Sequence, residues 1–238
     1  MKQYKAILLD WDDTIGDWSH AEIQAQKDLY EEFSLGEWFA DFETWFGSYH
    51  AHNLELWAQY GNGEITRAFL QRDRFLYPVM QALGLNVVPQ SIVELADKMG
   101  ERFLQLTNKY FSLLPDAERV IAYLSERYPI AILSNGFREV QYYKLAHSGL
   151  RQYFKEVLIS EEVGVNKPQV GIFEQALKRL GVSRNEALMI GDSYTSDIVG
   201  AKAARIDQLW ICKEADLHDS EREATYKVTR LADVTGIV

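Results

Sequence analysis

Short apolar segments alternate with helix-like segments along the second half of the chain, from about residue 115 to 212. The apolar segments are "IAILS", "EVLIS", "ALMIG" and "DQLWIC". Between them, stretches such as "GIFEQALKRLG" space their apolar residues as one face of a helix requires. Strands that are apolar throughout are typical of a parallel sheet covered by helices on both faces. The N-terminal "YKAILLD" has the same texture and joins that sheet, which predicts an α/β, Rossmann-like core.

The region between the first strand and the rest of the sheet has a different pattern. Segments such as "SHAEIQAQKDLYEEF", "ITRAFLQRDRFLYPVMQAL" and "SIVELADKMGERFLQLTNKYF" indicate helices and few strands. Ser19 is expected to cap the first of these helices. We therefore predict a discontinuous core, residues 1–15 and 110–238, with an all-helical domain over residues 16–109 inserted after the first strand.

Composition excludes several classes of partner and location. The 238 residues carry a formal net charge of −10 and a single cysteine. An acidic chain is poorly suited to bind the phosphate backbone of a nucleic acid polymer. No apolar run is long enough for a membrane-spanning helix, and one cysteine allows no internal disulfide. A cytoplasmic protein with no membrane partner is the expected class, and the sequence leaves monomer or dimer open.

Polar residues follow each predicted strand at the point where it ends. The carboxyl ends of parallel strands share one edge of the sheet, where ligands bind. The residues that follow the strands are Asp10, Asp12, Thr14, Ser134, Asn135, Gly136, Lys167, Asp192 and Asp197. Together they offer oxygen ligands for Mg²⁺, backbone donors for a phosphate and one ammonium group. Taken alone, each motif also fits a solvated acidic turn or a surface lysine.

Four motifs in order carry a family resemblance. "DWDDT", "LSNG", "NKP" and "GDSYTSD" each follow a predicted strand. In this order and spacing the chain resembles the haloacid dehalogenase superfamily. The resemblance implies a parallel-sheet core and identifies the helical insertion as a type-1 cap, which closes over small substrates.

The resemblance also implies catalytic roles. Asp10 would be the nucleophile that forms an aspartyl-phosphate. Asp12 would protonate the leaving alkoxide and then accept a proton from the hydrolytic water. Lys167 would offset negative charge on the nucleophile and on the phosphoryl oxygens.

Binding roles follow from the same resemblance. Ser134, with the backbone N–H groups of Asn135 and Gly136, would bind the phosphate together with Lys167. Mg²⁺ would be held by the Asp10 and Asp192 side chains and the Asp12 carbonyl, with Thr14 and Asp197 just outside these ligands; Asp197 would hold a metal-bound water or orient Lys167.

Position 12 and the second half of the chain narrow the expected activity. A carboxylate at Asp12 implies a phosphatase or a phosphomutase, because the superfamily's true dehalogenases lack one there. "LSNGFREVQYYKLAHSGL" and "ISEEVGVNKP" resemble the bacterial pyrimidine 5'-nucleotidase branch, which implies a nucleoside monophosphate substrate. Sugar-phosphate or acylneuraminate phosphatases share much of this pattern. A nucleotide-binding protein without catalysis is a further alternative.

Other polar residues are expected to have structural roles. Asp13 and Asp17 are interpreted as the turn into the helical domain. His50 and His52 point about 200° apart on a helix and cannot chelate one ion together. The aromatic residues between Trp38 and Trp57 are mostly core of the helical domain, with one or two available to stack on a nucleobase or sugar.

Overall fold

A computed structural model describes residues 3–238. The first two residues of the predicted core segment 1–15 lie outside the described residues. The chain divides into two compact units, one made of Met1–Trp18 with Ser112–Val238 and the other of Ser19–Phe111.

The second unit is helical. Its elements are α1 (Trp18–Glu32), α2 (Phe42–Gly61), α3 (Arg67–Ala82) and α4 (Gln90–Lys109). The Asp41 and Thr66 side chains cap α2 and α3 by accepting backbone N–H groups. The expected cap at Ser19 is wrong, because α1 begins one residue earlier and Ser19 lies inside it. Aromatic side chains, with Trp45, Tyr49, Phe75 and Phe103 fully buried, form the centre of this unit.

The first unit contains a six-stranded parallel sheet. Its strands are β1 (Ala6–Leu9), β2 (Ile130–Ser134), β3 (Glu156–Ile159), β4 (Ala187–Gly191), β5 (Asp207–Ile211) and β6 (Tyr226–Val228). The spatial order is β3-β2-β1-β4-β5-β6. The α/β prediction is confirmed, whereas β6 was not foreseen because "YKV" is too short and too polar to suggest a strand.

Helices cover the sheet and explain why its central strands are apolar throughout. They are α5 (Ala117–Ser125), α6 (Arg138–His147), α7 (Ser160–Val163), α8 (Val170–Leu180) and α9 (Val199–Ala203). Every residue of β1, β2 and β4 is buried. The apolar face of α8 packs with Leu8, Leu133 and Met189 in one core cluster. Water therefore reaches neither face of the central strands, and their ends become the accessible polar edge.

The chain leaves and re-enters the sheet unit at two neighbouring segments. The Asp17 N–H donates to the Ser112 carbonyl at 2.9 Å, and the Leu114 N–H donates to the Ile15 carbonyl at 2.8 Å. Gly16 pairs with Leu113 in an antiparallel bridge. These contacts hold the two points of insertion side by side.

No helix within residues 3–238 combines the length and the apolar character that crossing a membrane would require.

Candidate active site

The strand order places the candidate site at a reversal of the sheet. Connections run from β1 toward β2 and β3 on one side and from β4 toward β5 and β6 on the other. In such sheets the crevice beyond the carboxyl ends of the strands, at the point of reversal, is the usual ligand site. Asp10 follows β1 and Asp192 follows β4, and the Asp10 N–H donates to the Ile190 carbonyl at 3.0 Å.

Lys167 joins two of the predicted carboxylates. Its ammonium contacts the Asp10 carboxylate and lies 2.7 Å from Asp197 Oδ1. All three side chains are buried, and Asp197 is fully so. A buried charge is tolerated only when it is paired, so the three groups depend on one another for their charged states.

Burial and neighbouring charges shift the pKa values of Asp10 and Lys167. Burial raises the pKa of Asp10 to about 7, because the opposing effect of Lys167 is partly cancelled by the neighbouring carboxylates of Asp197 and Asp12. Burial lowers the pKa of Lys167, but attraction to Asp10 and Asp197 outweighs it and the net shift is upward. Lys167 is therefore a fixed cation, and Asp10 is a carboxyl that gains from further positive charge.

Asp192 completes a cluster with Asp10 and Asp197. One carboxylate oxygen from each residue lies within 4.8 Å of the others. Burial raises the pKa of Asp192 well above its ordinary value, and the charges of Asp10 and Asp197 add to the shift. Thr14 Oγ1 donates to Asp192 Oδ1 at 3.1 Å, which orients the side chain. Three carboxyls facing one another beside a single ammonium form a site with excess negative charge, suited to a hard divalent cation.

Asp197 is placed by a π-helical turn, Tyr194–Ile198, that precedes α9. Asp197 Oδ2 accepts the Ser193 N–H at 3.1 Å. Its carboxylate also lies against Gly191, where an added Cβ would come 2.6 Å from Asp197 Cγ. The Asp197 carboxylate can therefore lie this close to the end of β4 only because residue 191 is a glycine without a Cβ.

Three of the four predicted phosphate-binding residues, Ser134, Asn135 and Gly136, lie at the end of β2, and the fourth is Lys167. Ser134 is buried, and its Oγ accepts the Gly136 N–H at 3.1 Å. The Asn135 side chain forms two hydrogen bonds with the backbone of Lys167, each 2.8 Å long. This role of Asn135 in fixing the loop of Lys167 was not foreseen, because no sequence spacing relates residues so far apart.

Asp12 is oriented differently from the carboxylate cluster. Its Oδ1 contacts the Lys144 ammonium, and its Oδ2 accepts the Gln141 Nε2 at 2.8 Å. Sequence reasoning missed both partners. The signal available was their spacing of three residues in "QYYK", which places polar side chains on one face of a helix.

Asp13, His50 and His52 were expected to have structural roles. Asp13 has a φ of 56°, in the left-handed region that aspartate tolerates in turns. His50 Nδ1 lies 3.5 Å from Glu22 Oε2, whereas His52 Nε2 lies 2.8 Å from Asp73 Oδ2. The two histidines therefore face different carboxylates.

A parallel sheet whose strand order reverses between β1 and β4, with a lysine-bound carboxylate cluster beside that point, defines an α/β protein with its candidate ligand site at the switch point of the sheet. The sequence pattern of the haloacid dehalogenase-like hydrolases matches residues 4–205, and the chain belongs to that family.

Alignments with similar proteins cover most or all of the chain. The HAD-hydrolase YfnB of Bacillus subtilis is 30% identical over 242 residues, covering 100% of this chain and 97% of YfnB. A crystal structure of YfnB bound to magnesium superposes with a TM-score of 0.84, at 27% identity and 99% coverage of both chains. The pyrimidine 5'-nucleotidase YjjG of Escherichia coli is 34% identical over 202 residues, covering 82% of this chain and 85% of YjjG. A phosphoserine phosphatase of Thermus thermophilus is 30% identical over 249 residues, with 97% of each chain covered.

Proposed function

We propose that this chain is a Mg²⁺-dependent phosphomonoester hydrolase that acts through an aspartyl-phosphate on Asp10, with nucleoside monophosphates as substrates. The observation that carries the proposal is the buried contact of Asp10 with Lys167 inside the carboxylate cluster of Asp192 and Asp197. A nucleophilic carboxylate and a fixed cation at a ligand-binding sheet edge are the parts that covalent phosphoryl transfer needs.

The residues present fit a magnesium ion. Mg²⁺ prefers carboxylate and carbonyl oxygens and keeps several waters. Burial, together with the neighbouring carboxylates, raises the pKa values of Asp10 and Asp192, so a further positive charge beside them would favour their ionised forms. The side chains of Asp10 and Asp192 and the carbonyl of Asp12 would hold the ion, and Asp197 would stand beside it. When bound, it supplies charge neutralisation for the transferring phosphoryl group.

In the first step, an oxygen of Asp10 attacks phosphorus and the bond from phosphorus to the leaving alkoxide breaks. Asp12 enters this step as the carboxylic acid and gives its proton to that alkoxide, which leaves as an alcohol, and Asp12 becomes a carboxylate. Lys167, held by Asp197, keeps its charge beside the nucleophile and the phosphoryl oxygens. Ser134 and the N–H groups of Asn135 and Gly136 bind the phosphoryl oxygens.

In the second step, water attacks the phosphorus of the aspartyl-phosphate. Asp12 accepts the proton of that water, and the bond between phosphorus and Asp10 breaks to release inorganic phosphate. Asp10 and Asp12 thereby return to their starting states, so a single pair of carboxyls serves both halves of the reaction.

The substrate class rests on similarity to YjjG, whose name specifies pyrimidine 5'-nucleotidase activity. The Thermus relative, named a phosphoserine phosphatase, defines the competing class of small phosphomonoesters. Because one fold hosts many substrates, a panel ranked by kcat/KM decides between them. We expect dUMP, dTMP and UMP to exceed phosphoserine and sugar phosphates. A tenfold advantage of the other substrates, about 1.4 kcal/mol in transition-state stabilisation, would overturn the nucleotidase assignment.

The chemistry has its own test with p-nitrophenyl phosphate. Turnover is expected with Mg²⁺, to be lost with EDTA, and to be lost in Asp10→Asn, which keeps the size of the side chain but removes the nucleophile. Absence of metal-dependent turnover in the unmodified protein would refute the hydrolase proposal. A rise in turnover on adding a sugar bisphosphate would instead favour a phosphomutase.

A further inference from the structure

Helix α6 carries two buried polar side chains that both contact Asp12. Lys144 is 2% exposed and Gln141 is 3% exposed. They lie one helical turn apart, so their side chains share a face. Each of the two Asp12 carboxylate oxygens has one of them as its partner.

Neither side chain has an evident reason to be buried apart from Asp12. A lysine is rarely buried unless its charge is paired, and the Lys144 ammonium pairs with Asp12 while lying 4.4 Å from the centre of the Trp18 ring. Gln141 Oε1 is buried with no hydrogen-bond partner among residues 3–238. The hydrogen bond from Nε2 to Asp12 therefore fixes the orientation of the carboxamide.

Gly136 makes room for this arrangement. A Cβ at position 136 would overlap Gln141 Nε2 and lie 2.8 Å from Gln141 Cδ. The residue thought to offer a backbone N–H to phosphate thus also leaves space for the side chain that holds Asp12. Phosphate binding and placement of Asp12 are connected through the start of α6.

We propose that Gln141 and Lys144 are positioning residues that hold the Asp12 carboxylate in the orientation from which it exchanges protons with the leaving group and with water. The inference rests on the proposed function, because it assigns the two residues to the acid–base step of that reaction. With both oxygens held, the Asp12 carboxylate loses rotational freedom about its side-chain bonds, which favours its action as the base that accepts the proton of the hydrolytic water.

The test is a double-mutant cycle with Asp12. Gln141→Ala and Lys144→Met are each made in the unmodified chain and in Asp12→Asn, and kcat and KM are measured with p-nitrophenyl phosphate and UMP. In the unmodified chain we expect kcat to fall about tenfold or more, with KM changing less than about threefold. In Asp12→Asn we expect either substitution to change kcat less than about twofold, because the residue through which they act is already disabled.

The nature of the substrate adds a second readout. Nitrophenolate leaves without protonation more readily than the alkoxide of UMP, so both substitutions should impair UMP turnover more than p-nitrophenyl phosphate turnover. Gly136→Ala should displace the Gln141 side chain. The double variant Gly136→Ala/Gln141→Ala should therefore lose less kcat than the product of the two single losses. Lys178→Met and Gln152→Ala alter exposed residues and serve as matched controls.

The outcomes separate this inference from the proposed function. If the unmodified protein shows no Mg²⁺-dependent turnover, the proposed function fails. If it is active but the losses multiply fully with that of Asp12→Asn, the positioning role is overturned. A rise in KM that persists in Asp12→Asn would assign Lys144 to phosphate binding instead. Loss of folding in both Gln141→Ala and Lys144→Met would make the pair structural and overturn the role as well.

Discussion

Gly191 and Asp197 lie so close together that a Cβ on Gly191 would come 2.6 Å from Asp197 Cγ. Asp197 in turn holds the Lys167 ammonium at 2.7 Å. The absence of a side chain at the end of β4 therefore determines where the site's fixed cation lies.

Gly191→Ala should displace Asp197 and, with it, Lys167. We expect kcat to fall at least tenfold and the free energy of unfolding to fall by about 1–3 kcal/mol, the usual cost of overpacking. Steady-state kinetics and urea unfolding measure the two effects. Gly47→Ala is the matched control, because its Cβ would meet no atom within 4 Å and its helix should be stabilised slightly. Equal behaviour of the two variants would contradict the packing argument.

Lys167→Met should leave Asp10 and Asp197 buried without their partner. Removing one member of a buried ion pair costs about 3–5 kcal/mol, so the midpoint of urea unfolding should fall sharply in EDTA. Under the proposed function Mg²⁺ binds the folded site and not the unfolded chain, so adding it should restore part of the loss. Lys178→Met, at an exposed position on α8, should be neutral. A loss below about 1 kcal/mol would show that the ion pair is not needed for stability.

Asp12→Ala should separate metal binding from catalysis. The Asp12 carboxylate faces Lys144 and Gln141, and the carboxylate cluster is made by Asp10, Asp192 and Asp197. We expect the Mg²⁺ affinity of Asp12→Ala, measured calorimetrically, to stay within about threefold while turnover falls by about 10²-fold or more. Asp192→Asn should instead impair metal binding, with its Mg²⁺ affinity reduced at least tenfold. A large loss of affinity in Asp12→Ala would contradict this division.

Glu186 should contribute to stability in a pH-dependent manner. The Lys5 ammonium, 2.5 Å away, and Ser183 lower the pKa of Glu186 from 4.5 to about 2. A carboxyl with a lowered pKa stabilises the fold above its unfolded pKa and loses that effect as the pH falls toward the folded value. Glu186→Gln should therefore be less stable than the unmodified protein near neutrality, with the difference shrinking between about pH 4.5 and 2.

Urea unfolding at several pH values measures that difference. Glu174→Gln, at an exposed position on α8, provides the control and should show no such trend. A difference that stays constant across the pH range would mean that Glu186 acts through packing and not through its charge.

The fold class could be predicted from the sequence because the central strands, although short, are apolar at nearly every position and alternate with helical segments. "IAILS" and "ALMIG" coincide with β2 and β4, since a strand covered on both faces must be apolar at every position. β6 was not predicted because it lies at the edge of the sheet, where a strand is only partly buried and its residues need not all be apolar. The start of α1 was misplaced because a serine is tolerated inside a first turn as well as at a cap.

The candidate site likewise contains residues that the sequence predicts and residues that it does not. Parallel strands place residues such as Asp10, Ser134 and Asp192 along one edge, and this follows from strand ends alone. The partners of Asp12 depend on how α6 packs beside these strand ends; the spacing of Gln141 and Lys144 places them on one face of a helix but does not tell which residue that face contacts. The assignment of roles to these residues stays a prediction that the experiments above address.

The paired segments at Asp17 and Ser112 have a consequence for how such a protein can change. For the sheet unit, everything between these two points is equivalent to one long hairpin loop, and lengthening a loop costs little entropy. The residues proposed to react with phosphate all lie outside that loop. One contiguous stretch of the gene could therefore be exchanged for another while the proposed reacting groups and the sheet that carries them are inherited intact.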